Sequence, residues 1–310
     1  MKIKFLVILI FTAAASWISA EAGFKDYGWG ARGAGKAGAI IATVDDASAV
    51  MWNPAGLADV ENISAMLSYH KPYAGLEGVS LGLGMAAVAY PLSGGALGVS
   101  ATTFDGDGKY GETIIQLTAA SKLFNTERIA WGLNLKYLSN KYHWDDEILQ
   151  MPVPDPVTEK DGANAFTFDA GLRLLPYKRL PVGITLKNIL PADVGIAHED
   201  IVPMELKAGM GYRLDELWVL KNVTPEVVVG YRDQYYEDGR VSWGAGVEGW
   251  LPCGTVGIRS GVNNNEVTAG ASFERVLGSV ALRLDYAAIL SMTFGDNYGS
   301  HRISLSIRDL

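Results

Sequence analysis

The chain has 310 residues, of which 49% are hydrophobic and 19% charged, with a formal net charge of −8 and 36 glycines. An acidic chain without a basic patch gives no footing for nucleic acid, and the single cysteine, Cys253, excludes an internal disulfide framework. Past the N-terminus no stretch is apolar for the ~18 residues of a spanning helix, so the hydrophobic content must be carried by another pattern.

The first residues read MKIKFLVILIFTAAASWISAEAG. Lys2 and Lys4 form a positive start, Phe5 to Ala15 an apolar run, and Ala20-Glu21-Ala22 an A-x-A cleavage site. This is the layout of a secretory signal peptide over residues 1–22, with an apolar run too short to anchor in a bilayer. No Cys follows it to take a lipid.

Next comes GARGAGKAGA, Gly30 to Ala39. Gly30, Gly35 and Lys36 fit G-x-x-x-x-G-K, and Gly33, Gly35 and Gly38 fit G-x-G-x-x-G. Both patterns lack their context. FKDYGWG precedes them instead of a buried strand, and Ala37 stands where a hydroxyl should hold Mg²⁺. No nucleotide is expected. The DDASAVMW piece predicts a short helix with Asp45 or Asp46 as N-cap, stopped at Asn53-Pro54. Residues 23–61 do not alternate. A small, irregular, glycine-rich segment fits a barrel lumen, where its backbone groups find partners on a polar inner wall. Gly33, Gly35, Gly38, Asp45, Asp46, Asn53, Pro54 and Gly56 are the candidate residues of this plug, or hatch. Lys36 has no phosphate to hold there, so its loss is expected to be nearly silent. Gly35 is expected in close packing or at positive φ.

From about Asn62 onward, segments alternate between two faces and are separated by Gly, Pro, Asn or Asp clusters. In NAFTFDAGLRLL, Phe166, Phe168, Ala170, Leu172 and Leu174 oppose Thr167, Asp169, Gly171 and Arg173. In MELKAGMGYR, Met204, Leu206, Ala208, Met210 and Tyr212 oppose Glu205, Lys207, Gly209, Gly211 and Arg213. The segments fit the ~9–11 residues of a tilted membrane strand better than the shorter strands of a soluble sandwich. Aromatics near their ends, such as Trp131, Tyr137, Tyr212, Trp243 and Tyr286, suit interfacial girdles.

The pattern predicts an all-β fold: a transmembrane antiparallel barrel of roughly fourteen strands over residues 62–310. Tight connections (PLSGG, FNTE, PYKRL, LPCG, RVLG) alternate with longer ones, and residues 145–162 are the longest expected outer loop. DELWVLKN is long for the tight side and VNNNE short for the loop side. An even strand number puts both barrel ends in the periplasm of a diderm bacterium, with the barrel in outer-membrane lipid. The inward charges Asp169, Arg173, Glu205, Lys207, Arg232, Glu248, Arg259, Arg283 and Asp285 carry both signs. They are expected to pair across the inner wall and with the plug, the other reading being a polar gate lining.

Enzyme chemistry finds no motif. His70, His143, His198 and His301 are scattered, and neither G-x-S-x-G nor H-E-x-x-H occurs. Cys253 sits in the LPCG turn, and Asp105 and Asp107 in a DGDG turn without EF-hand spacing. No catalytic residue, cofactor or resident metal is expected. Asp145, Asp146, Glu147, Glu199 and Asp200 read as surface charge, with shared divalent cations at anionic lipid as the lesser reading.

The run GARGAGKAGAIIATVDDASAVMWNPAGLADV, with its acidic pair Asp45-Asp46 and its Asn53-Pro54-Ala55-Gly56 box, resembles the N-terminal signature of FadL-like outer-membrane proteins, in particular the PorV/PorQ branch. PVGITLKNILPADVGIAHEDIVPMELKAGMGYR, with Lys187-Asn188, resembles that family's middle region, and HRISLSIRDL its last strand. The resemblance implies a fourteen-stranded barrel with an N-terminal hatch. It also implies passive uptake of small hydrophobic molecules, with such a ligand (or detergent) in the barrel and a lateral exit at a kinked strand. In the secretion-associated branch it implies instead a shuttle that binds exported cargo and secretion-system proteins at its outer loops.

Overall fold

The computed structural model describes residues 24, 28–78, 80–144, 156–234, 237–293 and 297–310. The signal-peptide reading and residues 145–155 of the expected outer loop lie outside them.

Strands run antiparallel in chain order. They are β1 (Ser64–Lys71), β2 (Leu81–Leu92), β3 (Gly95–Gly106), β4 (Tyr110–Lys122), β5 (Ile129–Tyr142), β6 (Asn164–Tyr177), β7 (Leu180–Lys187) and β8 (Glu205–Gly211). Then follow β9 (Leu214–Leu217), β10 (Leu220–Gln234), β11 (Glu237–Trp250), β12 (Val256–Asn263), β13 (Glu266–Leu277), β14 (Val280–Ser291) and β15 (Ser300–Asp309). Each pairs with its chain neighbours, save that β8 and β9 both pair with β10, and β15 returns to β1 with Ser64 opposite Arg308 and Lys71 opposite His301, which closes the sheet.

Fifteen strand segments fill fourteen wall positions. β8 and β9 share one position, since both pair with β10 and are separated only by Tyr212 and Arg213. This accounts for the long DELWVLKN stretch. It is an extension of the β9–β10 hairpin, which turns tightly at 218–219. VNNNE is a tight hairpin too, with Asn263 accepting from the backbone of Asn265 and Glu266.

The barrel has a near rim, with both barrel termini and the turns 93–94, 178–179 and 278–279, and a far rim with the longer connections 72–80, 143–163, 188–204 and 292–299. Alternation turns the faces as expected. Leu67, Val99, Leu117, Leu133, Phe168, Val229 and Leu284 are exposed on the outside. Gln116, Thr118, Asn134, Asp169, Arg173, Glu226, Glu248, Arg259 and Asp285 are buried inside. An apolar outer band over a polar interior is what a barrel in lipid requires, because closure satisfies every ladder group and only apolar side chains meet the acyl chains.

The wall is uneven. β5 and β6 have 14 residues each, whereas β7 has 8 and β8 has 7. At the far rim β6 therefore outruns β7, and among the described residues its wall side beyond Ala170 is met by Asn188–Leu190 of the following loop.

Candidate functional site

The lumen holds residues 28–61. Gly30 leads into a single helical turn, α1 (Ala31–Ala34); Ser48 precedes a second, α2 (Ala49–Trp52); and a 3₁₀ turn follows over Pro54–Asp59. The Asn53 side chain accepts from the Ala55 N–H at 3.1 Å, and its amide donates to the Ile41 carbonyl (2.9 Å) and to Leu172 on β6 (3.3 Å). Pro54 supplies no N–H and starts the 3₁₀ turn, where none is needed. The acidic pair does not cap α2. Ser48 occupies that position, and Asp46 accepts the Ser48 N–H at 3.0 Å because its other oxygen is committed elsewhere.

That commitment is an ionic network between the segment and β11, β12 and β14. Arg32 reaches Asp45 (2.5 Å), Asp46 (3.1 Å) and Glu248 (2.9 Å). Arg283 bridges Asp46 (2.7 Å) and Asp285 (2.9 Å). Arg259 joins Glu248 (3.3 Å) to Asp285 (3.0 Å), with the Ser272 hydroxyl between them. Burial alone would push the Asp46 carboxyl up; the Arg283 and Arg32 guanidiniums outweigh it and hold the group well below the usual carboxylate range.

Lys36 overturns the expectation that it does nothing. It is fully buried, donates to the Thr43 hydroxyl at 3.3 Å, and lies 3.9 Å from Glu226. Burial pushes its ammonium down from the ordinary lysine value, with Glu226 opposing. Glu226 in turn accepts from the Ala42 N–H (2.8 Å) and the Thr43 hydroxyl (2.5 Å).

The glycines explain how the segment fits. Gly33 faces the Trp52 indole so closely that any Cβ would overlap the ring. Gly35 is not at positive φ: its φ is −65°, and a side chain there would strike Arg259. Gly38 does have positive φ (80°), and a Cβ on Gly56 would meet the Val44 carbonyl. Glycines of the wall matter equally. Gly132 and Gly171 face Pro54 and Asn53, and Gly246 and Gly261 face the Lys36 backbone. Two backbones approach there with no Cβ between them.

Away from the ionic network the contact is apolar. Trp29, Ile40, Ile41, Val44, Val50, Met51, Trp52 and Leu57 form one cluster with Met66, Leu83, Met85 and several wall alanines. Among the described residues one ion pair stands on this side, Arg173 to Asp59 at 2.6 Å.

The far mouth is covered by the loop 188–204. Its Ala192, Val194 and Val202 turn inward onto Phe24, Ile114 and Leu138. Asn188, at positive φ (55°), fastens both ends of the loop. Its backbone N–H donates to Asp169 (2.9 Å), its side-chain oxygen accepts from Lys136 (2.5 Å), and its amide donates to the Pro203 carbonyl (2.8 Å).

Between loop and lumenal segment lies a small chamber of about 30 Å³. Trp29, Met51 and Ile114 supply an apolar wall; Lys136, Asp169, Lys187, Glu205 and Arg232 supply a charged one. Of the inward charges expected to pair, Asp169 meets Lys136 at 3.0 Å and Glu205 meets Lys207 at 3.0 Å. Arg173, Arg283 and Asp285 bind the segment or its network instead, and Arg232 faces the chamber. Arg32, Lys36, Glu226, Lys136 and Asn188 were not singled out for these roles by sequence pattern. For Glu226 the signal was its inward parity in VTPEVVVGY; for Arg32 it was a lone guanidinium among glycines and alanines.

The arrangement is a membrane-spanning barrel, stoppered from one side by its own N-terminal segment and covered at the other mouth by a loop. No family model matches the sequence, and no curated protein matches it. Solved structures do. The CymD monoaromatic hydrocarbon channel aligns with a TM-score of 0.59 at 15% identity, over 93% of this chain and 98% of that one. The toluene transporter TbuX of Ralstonia pickettii aligns with a TM-score of 0.60 at 11% identity, over 92% and 99%. A FadL homologue of Pseudomonas aeruginosa gives 0.59 at 13% identity, over 90% and 98%. At these identities the likeness is one of fold, and these neighbours are not enzymes.

Proposed function

We propose that the chain is a passive channel for small hydrophobic molecules in the outer membrane of a diderm bacterium, with residues 28–61 as its hatch. The observation that carries this reading is a barrel with an apolar outer band, stoppered by its own N-terminal segment, in a fold shared with hydrocarbon channels. The glycines, Asp45, Asp46, Asn53 and Pro54 hold the hatch in place, and the inward charges anchor it. Within FadL-like proteins we set the chain beside the PorV/PorQ branch on its Asn53–Gly56 box and Lys187-Asn188 pair alone. The secretion-shuttle role of that branch draws no support from the neighbours found.

Uptake of labelled toluene by intact cells with a lipopolysaccharide outer leaflet tests the reading, since a phospholipid vesicle would pass toluene unaided. Cells making the protein should take up toluene faster than cells without it, with no gain in glucose entry. Equal toluene uptake, or entry of glucose as in an open pore, would remove it.

A further inference from the structure

The outer wall is not evenly convex. A groove of about 710 Å³, open to the side and mainly apolar, crosses it from β7 to β13. One bank is a register row, Met210–Val227–Ala245–Val262–Val267. The other bank runs through Tyr212, Pro225, Val247 and Ser260. Both rows have outward parity. The row between them has inward parity, and its Gly211, Gly246 and Gly261 floor the groove. The same glycines receive the hatch on their other side. Gly246 and Gly261 face the Lys36 backbone, and Gly211 faces the Thr43 side chain. With no Cβ in the way, the sheet lies in against the hatch, and its outer face is drawn in with it. Outward Val247 and Val262 are accordingly half-buried, whereas outward Val99 on β3 is exposed.

The groove is continuous with the apolar outer band, so bilayer lipid is what meets it. In lipid the hydrophobic effect drives no association between apolar surfaces, and residence depends on fit and on polar groups at the ends. The groove crosses β7, β8, β10, β11, β12 and β13. Five strand spacings of ~4.8 Å make it about 24 Å long, close to the ~25 Å apolar band of an outer-membrane barrel. Because barrel strands tilt, a row across them climbs from one rim toward the other. The two ends differ in charge. At the near rim, exposed Lys178, Arg179 and Arg213 stand beside Leu180 and Tyr212, with Asp215 paired to Arg179. At the far rim, Val262 and Val267 flank Asn263, Asn264, Asn265 and Glu266. The near-rim cations suit a lipid phosphate; the far end offers no such charge.

We propose that the groove seats one acyl chain of a phospholipid from the near-rim leaflet, with the lipid phosphate at Lys178, Arg179 and Arg213. The inference needs the barrel to span a bilayer and does not depend on what the lumen carries.

Native mass spectrometry of the purified full-length protein in detergent, with dioleoylphosphatidylglycerol added, tests it. The wild-type protein should retain one such lipid. Dioleoylglycerol, with the same chains and no phosphate, should bind about tenfold more weakly, the worth of one charge-assisted contact. Ala245→Trp sets an indole in the groove and should lose the phospholipid. Val99→Trp, equally outward but on β3, should keep it. Lys178→Gln combined with Arg179→Gln should bring phosphatidylglycerol down toward dioleoylglycerol. Heat-modifiable migration identifies the folded variants, and Ser260→Trp replaces Ala245→Trp should that chain not fold. Equal lipid retention by the groove and β3 variants overturns the inference, as does equal affinity of the wild-type protein for the two lipids. Tighter binding of lipid A than of phosphatidylglycerol would overturn the near-rim assignment. A dimer that Ala245→Trp dissolves would make the groove a contact between copies and overturn it too.

Discussion

The lumenal segment is held in two different ways on its two sides. Toward β11, β12 and β14 it is held by charges: Arg32, Asp45 and Asp46 interlock with Glu248, Arg259, Arg283 and Asp285. Toward β1–β6 it is held by shape: Trp52, Leu57 and Pro54 press on alanines and glycines, with Asn53 hydrogen-bonded to the wall backbone. The apolar side is tolerant of small displacements, because burial is non-directional. The ionic side is not. Once its geometry is lost, each buried charge keeps its desolvation cost and loses its partner. A hatch built this way is expected to swing from the apolar side and release from the ionic one.

Glu248→Ala should have the largest effect. It strips a partner from Arg32 and Arg259 together, at a cost of about 3–5 kcal/mol, read as a lower melting temperature in detergent and as faster solute entry into intact cells. A melting loss without faster entry would mean that the ionic side stabilises the barrel but does not fasten the hatch. Gly33→Val attacks the other side. The new side chain must displace the Trp52 ring, an overpacking that costs about 1–3 kcal/mol. Its melting loss should come with a smaller rise in entry than Glu248→Ala gives; an equal or larger rise would erase the distinction between the two sides.

Lys36→Ala comes next. It removes a weak hydrogen bond to Thr43 and a neighbour of Glu226. Glu226 keeps its bonds to Ala42 and Thr43, so the loss should be about 1 kcal/mol. A loss as large as that of Glu248→Ala would put Lys36 inside the fastening network. The smallest effect is that of acid on Asp46. Its pKa is lower in the folded chain, so the stability it adds is complete above its unfolded value, about 3.9, and is lost as pH falls through the lowered one. The melting difference between wild type and Asp46→Asn should stay constant from about pH 7 to 5 and shrink below about pH 4. A difference that shrinks already between pH 7 and 5 would break the assignment.

Much of the wall was legible in the sequence because a strand has a period of two, and parity alone puts Leu172 outside and Arg173 inside. The shared position of β8 and β9 was not legible. Nothing in GYRLDELWV announces that Tyr212 and Arg213 interrupt one wall position rather than end it. The ionic side was legible only as a set of unpaired names. Arg32 and Glu248 stand 216 positions apart, and no local rule selects one partner among several acids. The role of Lys36 is hidden for a physical reason. A lysine among glycines has the look of a ligand loop, yet here it is buried as part of the packing, with its ammonium spent on a hydroxyl and a distant carboxylate. Of the two reasons expected for Gly35, close packing holds, against the Arg259 side chain, and positive φ does not.

The Ala31 N–H donates to the Ser304 hydroxyl on the last strand at 2.7 Å, across 273 positions of chain. The segment also touches β5, β6 and β10 through β14 on the way round. Most of these contacts have no local precursor, so they cannot reward the chain until the sheet curls shut. Closure by β1–β15 and seating of the segment therefore reward the chain together, as a cask's last stave and its contents must both fit. Contacts of such high sequence separation slow folding. Refolding from urea into detergent should accordingly show a late phase that disappears when residues 28–61 are absent.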